Sequence, residues 1–335
     1  MPAVNHRTTE NVRLPQVHWR SDFDQEMEIR PGPTRHQTLG PLLVAMASAI
    51  WGTIGIATSF LPDGTSPQSI AGTRMAIGGS VLLALFARPS TVRPLVCVPR
   101  VLIWVILAVI SMALYQASFF TAIANTGMAI ASVVTMGCIP LFAGLLSRLA
   151  GLRLARRWVA STTGAVGGCA LLTLHGAETG RHVLSGIGCA IMAGGFYSVF
   201  TVASARLIRT GACPRTTMAV TLAGAAVLMS PFVVAGSSRW LLTPSGITVA
   251  FYLGLVATVG AYSLYGAALR TVSVPVVSTL VLAEPAAAAM LAVALLGEDF
   301  DALTSTGFAL ISLALLATAI PTPRCVRHQA GLICP

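Results

Sequence analysis

From Pro41 onward the chain is a succession of apolar runs, each about 20 residues long, joined by short polar connections. Coiled as α-helix at about 1.5 Å per residue, one such run crosses a hydrocarbon layer of roughly 30 Å. Ten runs can be delimited, at residues 41–60, 67–87, 101–123, 127–147, 157–174, 183–205, 215–236, 247–269, 273–296 and 302–320. In lipid every backbone N–H and C=O must find its partner within the protein, and these lengths suit helices rather than strands. With 55% hydrophobic and 10% charged residues and a mean hydropathy of +0.79, a water-soluble domain is excluded. The expected fold is an all-α integral membrane protein with ten transmembrane helices.

The basic residues fix an expected orientation. All 21 are arginine, and the formal charge of +10 is spread between apolar runs rather than gathered on one polar domain, which argues against nucleic acid and for anchoring at membrane lipids. With the N-terminus inside, eighteen arginines fall on the inner side and only Arg181 and Arg239 on the outer, where Asp63, Glu178, Glu298, Asp299 and Asp301 also lie. This pattern predicts an inner (plasma) membrane protein with both termini cytoplasmic. Residues 1–40 are polar, lack the apolar stretch of a signal peptide and are expected to be disordered; residues 321–335 form a second cytoplasmic tail. The histidines of the first tail are far apart, and seven cysteines without a CxxC pair suggest neither a disulfide framework nor a metal site. No cofactor motif is present: Gly186-Ile187-Gly188 follows no strand, and there is no Walker loop, nucleophile elbow or HExxH. Trp104, Trp158 and Trp240 stand at span ends and read as interfacial belt residues.

Sliding residues 40–175 onto 185–320 gives an ordered match at an offset near 145, with small changes at loops. Gly40 falls on Gly186, Trp51 on Tyr197, Met75 on Met218, Thr126 on Thr271 and Pro140 on Pro285. Residues 41–175 and 183–320 each hold five spans, an odd number, so the second copy must enter the membrane from the opposite side. Two inverted five-helix repeats are a carrier signature, with the substrate site expected near the midplane between them.

The stretches Tyr115–Arg153 and Tyr262–Glu298, with Leu282-Ala283-Glu284-Pro285 and Leu295-Leu296-Gly297-Glu298 in the second, resemble the paired signature of EamA-type carriers in the drug/metabolite transporter superfamily. The resemblance covers roughly residues 40–320 and implies a ten-helix inner-membrane carrier, often an exporter of metabolites or drugs. Only the second half carries the full pattern: Pro140 lacks a preceding glutamate, and Arg153 stands where an acidic residue is common.

Two ionisable residues lie within the spans, Arg74 and Glu284. Each costs about 2.5–3.5 kcal/mol at a helix centre, so each needs a partner, water or a function. The neighbours of Glu284 on its own helix face are apolar, so its partner comes from another helix, from substrate or from a proton. Arg74 either snorkels toward the outer headgroups or reaches Glu284. Pro140 and Pro285 each remove a backbone donor and are expected to interrupt spans four and nine, leaving the carbonyls of Met136 and Val281 without helical partners. Matching interruptions in two halves point to a binding site. Trp51, Tyr115 with Gln116 and Phe119, Tyr197 with Phe196 and Phe200, and Tyr262 with Tyr265 sit at mid-depth in four spans, where their polar groups suit a wet or ligand-filled cavity. Gly164 and Gly168 form a small face suited to close packing within the chain or between two copies, leaving monomer and homodimer both open.

The expected function is a secondary transporter, a proton-coupled exporter of small organic molecules working by alternating access, and not an enzyme. The rival readings are an intramembrane enzyme acting on lipid, which would need paired carboxylates or a histidine cluster, and a receptor or channel, the latter usually needing a repeated polar filter.

Overall fold

The computed structural model describes residues 39–173, 183–235, 239–291, 294 and 302–319. The two tails, Glu178, Arg181, residues 295–298, Asp299 and Asp301 lie outside them. Fourteen α-helices follow one another: α1 (Leu39–Gly52), α2 (Ile54–Ser59), α3 (Pro67–Phe86), α4 (Pro89–Cys97), α5 (Pro99–Thr126), α6 (Met128–Leu149), α7 (Arg156–Thr173), α8 (Val183–Arg209), α9 (Pro214–Ala235), α10 (Pro244–Phe251), α11 (Ala261–Ala268), α12 (Val274–Leu280), α13 (Ala283–Leu291) and α14 (Ala302–Ala319). A π-helix, Tyr252–Gly260, joins α10 to α11 in one rod. Proline opens α3, α4, α5, α10 and α12, where its missing N–H costs nothing and its fixed φ suits the first turn. At the other end, Gly127 leaves α5 with φ +83° and Gly211 follows α8 with φ +106°, backbone that a side chain would strain.

Among the described residues, eight stretches are long and apolar enough to cross a membrane: Leu39–Ser59, Pro67–Phe86, Pro99–Thr126, Ile130–Leu149, Val183–Arg209, Pro214–Val233, Pro244–Ala268 and Val274–Leu291. Of the ten expected spans, the fifth in each half is the weaker. α7 opens on Arg156 and Arg157 and is rich in serine, threonine and glycine, while α14 contributes the shorter apolar stretch Ser305–Thr318. These two pack on each other, with Gly168 against the Gly307 carbonyl and Ile311, so the small face of α7 is used within the chain.

Packing between the halves follows an exchange rule. α5 of the first half lies along α8, and α11 of the second half lies along α1. α6 packs on α8 as α13 packs on α1, while α3 faces α9 and α7 faces α14. The rule extends to single residues. Gly40, opening α1, is pressed against Thr271 and Val272 beyond α11; Gly186, near the start of α8, is pressed against Thr126 at the end of α5. Ser48 of α1 donates to the Leu280 carbonyl at 3.5 Å, and Gly194 of α8 sits over the Thr135 carbonyl of α6.

One tryptophan departs from the belt expectation. Trp240 is 4% exposed, and its indole N–H donates to Ser69 Oγ at 3.1 Å, because the short 3-10 turn Arg239–Leu242 folds it back beneath α3. Trp158 is partly buried and donates to the Pro275 carbonyl at 2.8 Å, while Arg206 lies over the Trp104 ring at 5.7 Å.

Candidate functional site

The site grows from three irregular stretches of backbone that meet. The first span breaks at Thr53, whose hydroxyl donates to the Ile50 carbonyl at 2.6 Å and lies 2.5 Å from the Tyr252 hydroxyl. A side chain that bonds its own backbone in this way competes with the helix ladder. The eighth span becomes a π-helix over nine residues, and Thr258 Oγ1 donates to the Leu253 carbonyl five residues back at 2.8 Å. π-Helical turns are rare and concentrate at functional sites. The ninth span breaks between α12 and α13, at Val281 and Leu282. Trp51 ties the first two stretches together, its indole N–H donating to the Ala257 carbonyl at 2.9 Å. Gly52 ties in the third: a Cβ there would stand 2.9 Å from both the Glu284 carbonyl oxygen and the Ala288 nitrogen.

Proline behaves differently in the two halves. Pro285 stands just after the α12–α13 break, but Pro140 sits inside α6, which runs through it uninterrupted. The expected pair of interruptions is therefore one. The Val281 carbonyl, expected to lack a partner, accepts from the Glu284 N–H at 2.9 Å, because the chain tightens locally to a three-residue turn.

The mid-depth aromatics form one continuous buried cluster. Trp51 meets Tyr262 at 5.0 Å and Tyr265 at 5.6 Å between ring centroids. Tyr115 meets Tyr197 edge-on at 4.9 Å, and Phe200 stacks on Tyr265 at 6.2 Å. In this conformation the rings fill the space between four spans with each other. The Tyr265 hydroxyl lies 2.7 Å from Thr201 Oγ1, whereas the Tyr197 hydroxyl is buried with only the Tyr265 hydroxyl beside it. Gln116, 1% exposed, donates its amide only to the sulfur atoms of Met75 and Met112, each at 3.9 Å, and the Tyr262 hydroxyl donates to the same Met112 sulfur at 3.9 Å.

Arg74 does not snorkel. It is buried, its Nε has no hydrogen-bond partner, and it acts electrostatically on Tyr262, Tyr115 and Glu284. Glu284, half-buried at the first turn of α13, is coupled through space to Arg74 and to both tyrosines. Every site residue named from the sequence, Pro140 excepted, thus belongs to one connected neighbourhood. Sequence reasoning missed Gly52, Met75, Met112 and the π-helical stretch: a methionine or glycine inside an apolar run carries no polar signal, and no proline marks the π-helix.

A many-helix membrane protein that buries a guanidinium among tyrosines, with a half-buried carboxylate coupled to it, between two similar halves has the build of a small-molecule transporter. The model of the EamA-like transporter family matches residues 38–174 and again 184–320. The chain belongs to this family, within the drug/metabolite transporter superfamily, which points to a transporter of small molecules rather than an enzyme. It is 34% identical over 282 residues, 82% of this chain and 92% of the relative, to the uncharacterized transporter YwfM of Bacillus subtilis (strain 168). A protein of known crystal structure, 23% identical, superposes with a TM-score of 0.70 over 83% of this chain and 95% of its own, and shares the fold.

Proposed function

We propose that this transporter is a secondary carrier of the inner (plasma) membrane that exports small organic metabolites or drugs by alternating access, coupled to protons. It consists of ten transmembrane helices in two inverted five-helix repeats, residues 41–175 and 183–320, with residues 1–40 and 321–335 cytoplasmic. The exchange rule in helix packing supports the repeat, since swapping the halves maps the α5–α8 and α6–α8 packings onto α11–α1 and α13–α1, and the α3–α9 and α7–α14 packings onto themselves. The observation that carries the coupling is the placement of Glu284. It is the only carboxylate within the spans, it stands at a helix break, and its own helix offers no partner. Such a group is neutralised either by a proton or by a bound cationic group. Each state favours a different arrangement of the surrounding helices, and the site opens to one side or the other accordingly.

The test begins with a comparison of metabolites inside and outside cells with and without the protein, which supplies a substrate. Purified protein in liposomes then receives an imposed pH gradient. Wild type accumulates substrate against its gradient. Glu284→Gln, nearly identical in shape, inserts and melts normally but fails to accumulate it. Undiminished accumulation by the variant would make Glu284 a packing residue and end the coupling reading.

A further inference from the structure

The polar groups around Arg74 do not balance. Buried donors in native proteins almost always find an acceptor, and each exception calls for an explanation. Arg74 Nε has none, and the Tyr197 hydroxyl has beside it only the Tyr265 hydroxyl, which Thr201 already engages. As donors, the Gln116 amide and the Tyr262 hydroxyl have only thioether sulfur, a weak acceptor, and they share that of Met112, while the Tyr262 oxygen accepts from Arg74. These four groups come from α3, α5, α8 and α11, each is at least nine-tenths buried, and they are linked to one another. Arg74 lies beside the Tyr262 hydroxyl, Gln116 and Tyr262 meet at Met112, and Tyr197 packs on Tyr115, the neighbour of Gln116. The surrounding rings of Trp51, Tyr265 and Phe200 add apolar surface and no free oxygen acceptor, since the Tyr265 hydroxyl is engaged by Thr201.

A ligand that completes this neighbourhood brings oxygen acceptors and negative charge to a guanidinium, and an apolar body to the rings. Guanidinium and carboxylate match as fork to fork, with charge-assisted bonds stronger than neutral ones. We infer that Arg74, with Tyr262, Gln116 and Tyr197, forms a carboxylate subsite, so that the transported class is organic acids whose carboxylate sits on an apolar or aromatic body. This deepens the transporter reading and rests on it. Glu284 faces the same neighbourhood but supplies negative charge, so it is no part of the subsite.

Binding tests this without any transport assay. Purified full-length protein in detergent is melted with phenylacetate, 3-phenylpropionate or hexanoate, each alongside its amide and the amine of the same carbon skeleton. The carboxylates raise the melting temperature in a saturable way and the amides do not. Arg74→Gln abolishes the response, whereas Gly55→Ala, in open space and away from the donors, retains it. Should Arg74→Gln not fold, Tyr262→Phe and Gln116→Leu each remove one donor and weaken the response about tenfold. Stabilisation by the amines in place of the acids, silence from all the carboxylates, or an undiminished response in the Arg74, Tyr262 and Gln116 variants would overturn the subsite. Saturable carboxylate binding together with accumulation that Glu284→Gln leaves undiminished would instead strike only the coupling mechanism.

Discussion

At the residue scale, the charges at the centre belong to one copy of the repeat position only. The offset that sets Pro140 on Pro285 sets Ile139 on Glu284, and the one that sets Met75 on Met218 sets Thr217 on Arg74. Both charges were legible in the sequence because no other charged residue lies at mid-depth in a span; their electrostatic coupling was not, since it depends on tertiary arrangement. If each compensates the other, removing one leaves an uncompensated buried charge, which is worse than removing both. Arg74→Ala and Glu284→Ala are therefore expected to destabilise singly by more than the double variant implies by addition, with an interaction of about 0.5–3 kcal/mol. Thermal melting of the four proteins measures it, and strict additivity would mean that the two are independent. Gly52 offers a second measurement at this scale. A methyl group there meets Ala287 Cβ at 2.8 Å and two backbone atoms of α13 at 2.9 Å, none of which can swing aside. Gly52→Ala should cost about 1–3 kcal/mol by overpacking, read as a lowered melting temperature, whereas Gly55→Ala, with open space around it, should not.

At the element scale, irregular backbone is confined to one side of the exchange rule. The trio α1–α2, the α10–π–α11 rod and α12–α13 contains all three departures, while its counterparts α8, α5 and α6 run unbroken. Proline alone did not reveal this, because it appears in both halves. What separates them is the surrounding chemistry. Around α6, Ser198 donates to the Ile139 carbonyl at 2.8 Å beside Pro140 and the helix continues; at Pro285 the chain has already tightened through Leu282 and Glu284. Pro285→Ala restores a backbone donor where the ladder is interrupted, so amide exchange around residues 281–286 should slow in the variant. Pro140→Ala, inside a continuous helix, should leave exchange in α6 close to wild type. Mass-spectrometric hydrogen exchange in nanodiscs reads both, and equal changes at the two prolines would contradict the asymmetry. The π-helical stretch had no legible signal at all, for its supports are tertiary, the Trp51 indole and the packing of Gly254 on Ile77.

At the scale of the whole molecule, membrane thickness makes architecture easier to read from sequence than any single contact. A run of 20 apolar residues has few alternatives in lipid, so eight of the ten expected segments appear among the described residues as helices long and apolar enough to cross, while the fifth of each half falls short of that length or hydropathy and packs on the other. Orientation is decided differently, by where the arginines are left behind. Arg88 and Arg93 flank or occupy the short helix α4, Arg148, Arg153, Arg156 and Arg157 surround the α6–α7 turn, and Arg209 and Arg215 bracket the α8–α9 turn. All these turns lie on one side if every odd-numbered span of the ten runs outward. Single cysteines report the side directly once the native thiols are removed. Removal matters most for Cys213, which is exposed: partial burial pushes its thiol up, but bonds from Thr216 and the charge of Arg215 outweigh that and hold it below the ordinary thiol value, so it would react first. In intact cells, Asp63→Cys should then react with an impermeant maleimide, while Arg93→Cys and Arg156→Cys should react only after the membrane is opened. Because the inverted repeat requires the α6–α7 and α8–α9 turns to share a side, a cysteine at Thr210 must follow the one at Arg156. Labelling of Thr210→Cys from outside with Arg156→Cys protected would break the repeat itself, whereas reversal of all four together would overturn the orientation and leave the repeat standing.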